Sequence, residues 1–223
     1  MKKIIFFALC MLLLSGNIAL ASDCDISDSS QFIEEYCSLN STLSSNGLRV
    51  MPTVNLSDDI LVKYIKSSDV VSFIENGSGV IYFGFPECPW CRSMVTKLFE
   101  AASTCNYREP ILYANLVDER DTISLSDNRE LIVEDPGSDS YHEVVSILYD
   151  YLLPYSGLDN PEIHRLYFPM VVYFNEGNIV YSHIDTVPTQ SDPYVPLTKE
   201  QSEELKAIYC DGFILLAEEQ EDI

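Results

Sequence analysis

Positive charge is scarce in this chain: 13 Lys and Arg stand against 35 Asp and Glu, a formal net charge of −22. Such a surface repels phosphate backbones and anionic headgroups, which argues against nucleic acid and membrane surfaces as partners. It favours cationic partners or simply keeps the protein soluble, and solubility is the simpler account. Histidine is also scarce, and His142, His164 and His183 lie at no ligand spacing. With no second Cys-x-x-Cys, four zinc ligands cannot be assembled by pattern. No metal and no organic cofactor is expected. Internal repeats and low-complexity tracts are absent, and the apolar run from Ile4 to Leu14 is about half the ~20 residues a membrane span needs.

That run has another reading. Lys2 and Lys3 precede it, and Ala19-Leu20-Ala21 offers small residues for cleavage before Ser22, the pattern of a secretory signal peptide over 1–21. An uncleaved anchor is the competing reading. Lipidation at Cys24 is not favoured, because Asp23 stands where a small residue is wanted. The chain is therefore expected to be exported to an extracellular, cell-surface or periplasmic location. Loss of Lys2 and Lys3 takes the charge to −22 − 2 = −24. Of seven cysteines, Cys10 leaves with the signal; Cys24, Cys37, Cys88, Cys91, Cys105 and Cys210 remain. An even number in an oxidising compartment points to disulfides.

Residues 22–54 are rich in Ser, Asp and Asn and read as an irregular extension, with at most a short helix around Gln31 to Cys37. Cys24 and Cys37 are close enough in sequence to staple it. From about 55 the pattern changes. Ile60 to Ile65 reads as a strand, Ser67 or Ser68 caps a helix ending at Asn76-Gly77, and Val80 to Phe85 reads as a buried strand. A helix follows on Met94, Val95, Leu98, Phe99 and Ala102, then a strand within Pro110 to Val117. This βαβαβ order implies parallel strands with crossover helices. Over about 119–166 lie a charged, turn-rich stretch and then a helix around Tyr141–Leu153, opened by the capping pattern Ser140 to Glu143. Met170–Phe174 and Ile179–His183 flank Asn175-Glu176-Gly177-Asn178 as a hairpin. A second capping box, Thr198 to Gln201, opens the last helix.

Cys88-Pro89-Trp90-Cys91 stands where the buried strand empties into its helix. A cysteine there lies among unpaired backbone N–H groups and at the positive end of the helix dipole, which favours the reactive thiolate. A structural disulfide and half a zinc site are the bland alternatives. The first is unlike a Cys-x-x-Cys at a helix start, and the second lacks its ligands.

A βαβαβ unit carrying this motif, then a helix, a hairpin and a closing helix, resembles the thioredoxin superfamily. Phe168-Pro169-Met170, directly before the first hairpin strand, strengthens the match, which covers about Asn55 to the C-terminus. The Phe-Gly-Phe-Pro-Glu-Cys-Pro-Trp-Cys segment behind a signal peptide is also similar to exported bacterial thioredoxin-like proteins associated with bacteriocin maturation. The resemblance implies an α/β fold with a central mixed sheet flanked by helices, a helical insertion before a cis-proline at Pro169, and an N-terminal extension. It implies a thiol–disulfide oxidoreductase acting on cysteine-containing proteins or peptides and served by an unidentified redox partner protein. Cys88 would be the nucleophile and Cys91 the resolving cysteine. Trp90 and Pro89 would tune the pair, and Phe168 with Pro169 would hold an extended substrate strand. The last helix would lie beside the active-site helix, pairing Cys105 with Cys210 and leaving Cys24 with Cys37. Three departures stand out: Tyr82 occupies the place of the family's buried acid, Glu87 precedes Cys88, and the 119–166 section is long. A non-enzymatic thioredoxin-like binding or chaperone module with a structural pair is the alternative from a different class.

Overall fold

The computed structural model describes residues 24–158 and 160–221, with side chains over 28–158 and 160–220. The signal peptide expected over 1–21, and Cys10 with it, lies outside the described residues. In chain order the elements are α1 (Cys24–Ser38), β1 (Val62–Tyr64), α2 (Ser67–Asn76), β2 (Ser78–Phe83), α3 (Pro89–Thr104), β3 (Ile111–Ala114), β4 (Thr122–Leu125), β5 (Leu131–Asp135), α4 (Asp139–Ile147), β6 (Met170–Asn175), β7 (Asn178–Ile184) and α5 (Lys199–Glu221).

Five strands form one mixed sheet in the order β1-β3-β2-β6-β7. β1, β3 and β2 run parallel; β6 is antiparallel to β2, and β7 to β6. The central strands are apolar at nearly every position because both faces are covered. Val80, Tyr82, Ile111, Tyr113, Val171 and Tyr173 face one core with α1, α3 and α5. Ile81, Phe83, Leu112, Met170, Val172 and Phe174 face the other, with α2 and α4. This is the expected α/β arrangement of a mixed sheet flanked by helices. The hairpin is tighter than its sequence implied. Asn175 pairs with Asn178, leaving Glu176 (φ 45°) and Gly177 (φ 87°) as a two-residue turn with both φ values positive.

The expected irregular extension is corrected over Cys24–Ser38, which form α1; residues 39–54 have no helix or strand of their own. Phe32 and Tyr36 of α1 are fully buried, packed on Tyr113 and Phe99. The helix also covers the sheet edge: Ser29 Oγ accepts the Val62 N–H and Asp28 Oδ2 the Tyr64 N–H, both at 3.0 Å. Those donors belong to edge strand β1 and would otherwise be unpaired. The Cys24–Cys37 staple is corrected too. The two positions stand near opposite ends of one helix, about 20 Å apart along its axis. A disulfide requires Cα atoms within about 7 Å. Cys37 is a free thiol against the Val54 carbonyl, and the Cys24 side chain lies outside the described residues.

The 119–166 section contains more than a helix. The stretch expected to be turns is the β4–β5 hairpin, and α4 ends at Ile147 with a 3-10 turn at Tyr149–Tyr151. Its cap is Ser138, whose Oγ accepts the Tyr141 N–H at 3.0 Å. Ser140 is occupied elsewhere, with Ser67 and Glu119. At the base of the section the nearly buried Arg165 pairs with Asp121.

Candidate functional site: the Cys88–Cys91 pair

The site is assembled by strand pairing. β2 ends at Phe83, and Gly84 to Glu87 turn the chain into α3. Antiparallel pairing sets Phe83 opposite Met170, the first residue of β6. That register brings the two residues before Met170, Phe168 and Pro169, alongside the start of α3. The Phe168–Pro169 bond is cis. The Phe85 and Phe168 rings meet edge to face at 5.5 Å. Positions 168 − 85 = 83 residues apart thus become neighbours.

Cys88 is the N-cap residue of α3, and Pro89 takes the first helical position, where no N–H is needed. The Cys91 backbone N–H donates to Cys88 Sγ at 3.2 Å. On its other side, Cys88 Sγ donates to the Phe168 carbonyl oxygen at 3.7 Å. Both sulfurs are free thiols; Cys88 is 5% exposed and Cys91 fully buried. Trp90 is half-buried against the core beside them, and Glu87 projects into solvent.

Cys91 lies in a different environment from its partner. Burial holds its pKa well above the ordinary thiol value, and the hydrogen bond with Cys88 and the charge of Cys88 push the same way. The Phe85 backbone and the Tyr82 side chain act against this shift. Tyr82 stands on β2, opposite Val171 of β6. Its hydroxyl also meets that of Tyr36 at 2.8 Å, with both rings fully buried.

Arg92, next to Cys91, was not singled out by sequence reasoning. It is 2% exposed and has no carboxylate partner among the described residues. Its guanidinium donates to the carbonyl oxygens of Pro52 (2.8 Å), Tyr36 (2.7 Å) and Pro86 (3.2 Å) and to Asn40 Oδ1 (2.7 Å). It therefore joins α1, the segment after it and the turn before Cys88. Burial lowers its pKa, while nearby groups, Tyr36 and Cys37 first among them, raise it.

Cys105, the C-cap of α3, and Cys210, midway along α5, are brought together as free thiols and not as a disulfide. Burial pushes the Cys105 thiol up to about 12, helped by its hydrogen bond with Cys210. Among the described residues no group of three or more His, Cys, Asp and Glu could hold a metal ion, and no helix is long and apolar enough to cross a membrane. No protein-family model matches the chain, and no curated protein matches it either.

Proposed function

We propose that the chain is a member of the thioredoxin superfamily and an exported thiol–disulfide oxidoreductase, exchanging disulfides with cysteine-containing proteins or peptides. The observation that carries this reading is Cys88 Sγ as helix cap, receiving the Cys91 N–H at 3.2 Å and lying 3.7 Å from the Phe168 carbonyl beside cis-Pro169. An N–H donor at a sulfur suits an atom that carries negative charge during exchange.

In the reducing direction Cys88 attacks a substrate disulfide. One substrate sulfur leaves and takes up a proton, and a mixed disulfide joins Cys88 to the other. Cys91 then attacks Cys88 Sγ, the mixed disulfide breaks, and the second substrate sulfur departs with the proton that Cys91 gave up. The protein ends as the Cys88–Cys91 disulfide, with two substrate thiols released. The oxidising direction is the reverse. Substrate backbone laid along Phe168 would present its sulfur to Cys88, with Trp90 and Phe85 forming the adjoining apolar surface.

Insulin reduction and refolding of scrambled ribonuclease by the wild type and by Cys88→Ser test this. Activity in the wild type and its loss in the variant are expected. Equal activity of the two would leave the Cys pair a structural feature of a binding module. A redox titration of the pair against glutathione buffers then fixes the direction of exchange, since 30 mV corresponds to about 1.4 kcal/mol.

A further inference from the structure

We propose that the outer edge of β5, with the apolar groove behind its hairpin, docks an extended segment of apolar residues flanked by Lys or Arg, carried by the same substrate whose sulfur reaches Cys88. The proposal rests on the oxidoreductase reading and names the class of substrate.

Hydrogen bonding defines the edge. Among the described residues β5 pairs with β4 alone. The Ser126 N–H donates to the Glu130 carbonyl at 2.9 Å, so these two form a hydrogen-bonded pair. Such pairs alternate along an antiparallel ladder, which makes Ser124 and Ile132 the next one. Leu131 and Val133 therefore turn their own N–H and C=O groups away from β4. The side chains of Leu131, Ile132 and Val133 are 47, 43 and 54% exposed. An apolar edge with open backbone groups is a template for one more strand.

The groove lies on the Leu131 and Val133 face of the hairpin. Its volume is about 370 Å³, and its apolar wall includes Ile123, Leu131, Val133, Tyr141, Val145 and Ile163. Every second side chain of an added strand falls on that face and extends the wall.

Charge decides what the added strand is. Glu130, Glu134 and Asp135, all exposed, bracket the apolar triplet. Between residues 119 and 166, eleven Asp and Glu stand against three Arg. A second copy fits badly in either symmetric register. Antiparallel pairing centred on Ile132 sets Glu130 opposite Glu134. Centred on Val133, it sets Leu131 opposite Asp135 and Ile132 opposite Glu134. Like charges directly opposite destabilise a strand pair, and opposite charges stabilise it. A segment with an apolar centre and cationic ends meets the triplet and its carboxylates together.

Position ties this edge to the Cys pair. The groove residues Ile163 to Arg165 lead through Leu166 and Tyr167 into Phe168, whose carbonyl accepts from Cys88 Sγ. Arg165 and Phe168 are three residues apart, at most about 11 Å along the chain. One extended substrate can hold both places. Docking alters no bond, and the exchange balances as already written.

The probe is a peptide of three Val flanked on each side by two Lys. A cysteine, held as its mixed disulfide with glutathione, stands five residues beyond one end or the other. Against fully reduced protein, one of these placements should lose its disulfide about tenfold faster than the same peptide with Glu for Lys, or with all three Val backbone nitrogens methylated. Methylation keeps the charge, so it separates strand pairing from general attraction to an acidic protein. Val133→Lys and Glu134→Lys should each cut the preference to about twofold, with oxidised glutathione still reduced at the wild-type rate. A cysteine-free, fluorophore-labelled probe reads binding by anisotropy without the exchange chemistry, and Val133→Lys should weaken it. No preference, or one that survives methylation or both substitutions, overturns the docking edge and leaves the oxidoreductase reading standing. A wild-type dimer that Val133→Lys dissociates overturns it too, by placing a second copy on the edge. A wild type that exchanges with no disulfide at Cys88 removes the oxidoreductase reading and the substrate role of the edge with it.

Discussion

Arg92 donates to the carbonyl oxygen of Tyr36 at 2.7 Å, so the helix that carries the Cys pair is tied to a helix more than fifty residues upstream. The other donors of the same guanidinium are spent on Pro52, Pro86 and Asn40. Replacing Arg92 with Met keeps volume but strands four acceptors in a buried place. A loss of about 3 kcal/mol is expected in denaturant unfolding, on the scale of broken buried networks. Arg92→Lys should recover only part of it, because an ammonium lacks the planar fork. Wild-type stability in Arg92→Met would show that the network contributes nothing.

Gly212 makes a prediction against helix propensity. It lies within α5, where Ala is ordinarily better than Gly by about 1 kcal/mol. Here a Cβ would lie 2.4 Å from the Tyr173 ring, which is fully buried and whose hydroxyl donates to the Tyr209 carbonyl at 3.1 Å. Overpacking of this kind costs about 1–3 kcal/mol. Gly212→Ala should therefore destabilise the protein, and a higher melting temperature would refute the packing account.

Cys105 and Cys210 are neighbouring thiols placed to form a cross-link between α3 and α5. Non-reducing peptide mapping of the protein from an oxidising compartment should find Cys105 joined to Cys210. Closing a loop of roughly 100 residues would stabilise by about 4.7 kcal/mol in the chain-entropy account. With the Cys105 pKa pushed up to about 12, mainly by burial, closure should accelerate as pH rises. A bond from Cys105 to Cys24 or Cys37 would exclude this pairing.

His183 gives a pH signature. Its pKa is lowered, first by burial, against the Thr186 carbonyl and Asp185, which raise it. The unfolded chain then binds this proton more readily than the folded one. Stability should fall as pH drops through the ordinary histidine value of 6.5 and below. The neighbouring Asp185, raised by burial, acts in the opposite sense at lower pH. Urea midpoints across about pH 7.5 to 5.5 should show the histidine slope in the wild type and a flatter line in His183→Gln. Identical slopes would exclude His183 as the source.

The strands and the motif were legible because their signals are local. Val80 to Phe83 and Met170 to Phe174 are uninterrupted apolar runs, as buried strands must be, and Phe168-Pro169 precedes its strand directly. The helix α1 was hidden by composition: among Ser, Asp and Glu, its inward face is little more than Phe32, Ile33 and Tyr36. The i, i+4 aromatic pair was its one signal. Six of the fourteen tyrosines are buried (Tyr36, Tyr82, Tyr113, Tyr141, Tyr173 and Tyr209), but no spacing shows that two hydroxyls 46 residues apart will meet. Arg92 gave no signal, because a cation on an amphipathic helix ordinarily faces water. Leu131-Ile132-Val133 stands among charged residues that mask its strand character, and these side chains are largely exposed, on a hairpin outside the main sheet.

The buried aromatics of α1 also bear on how the chain tolerates being shortened. Cutting before residue 55, where composition changes from polar to apolar, would remove Tyr36 and leave Arg92 facing a void in place of two of its carbonyl acceptors. The same cut would strip the Ser29 and Asp28 side chains from the outer strand and open a sticky edge for self-association. Loss of the segment upstream of residue 55 would destabilise the molecule without touching Cys88 or Cys91.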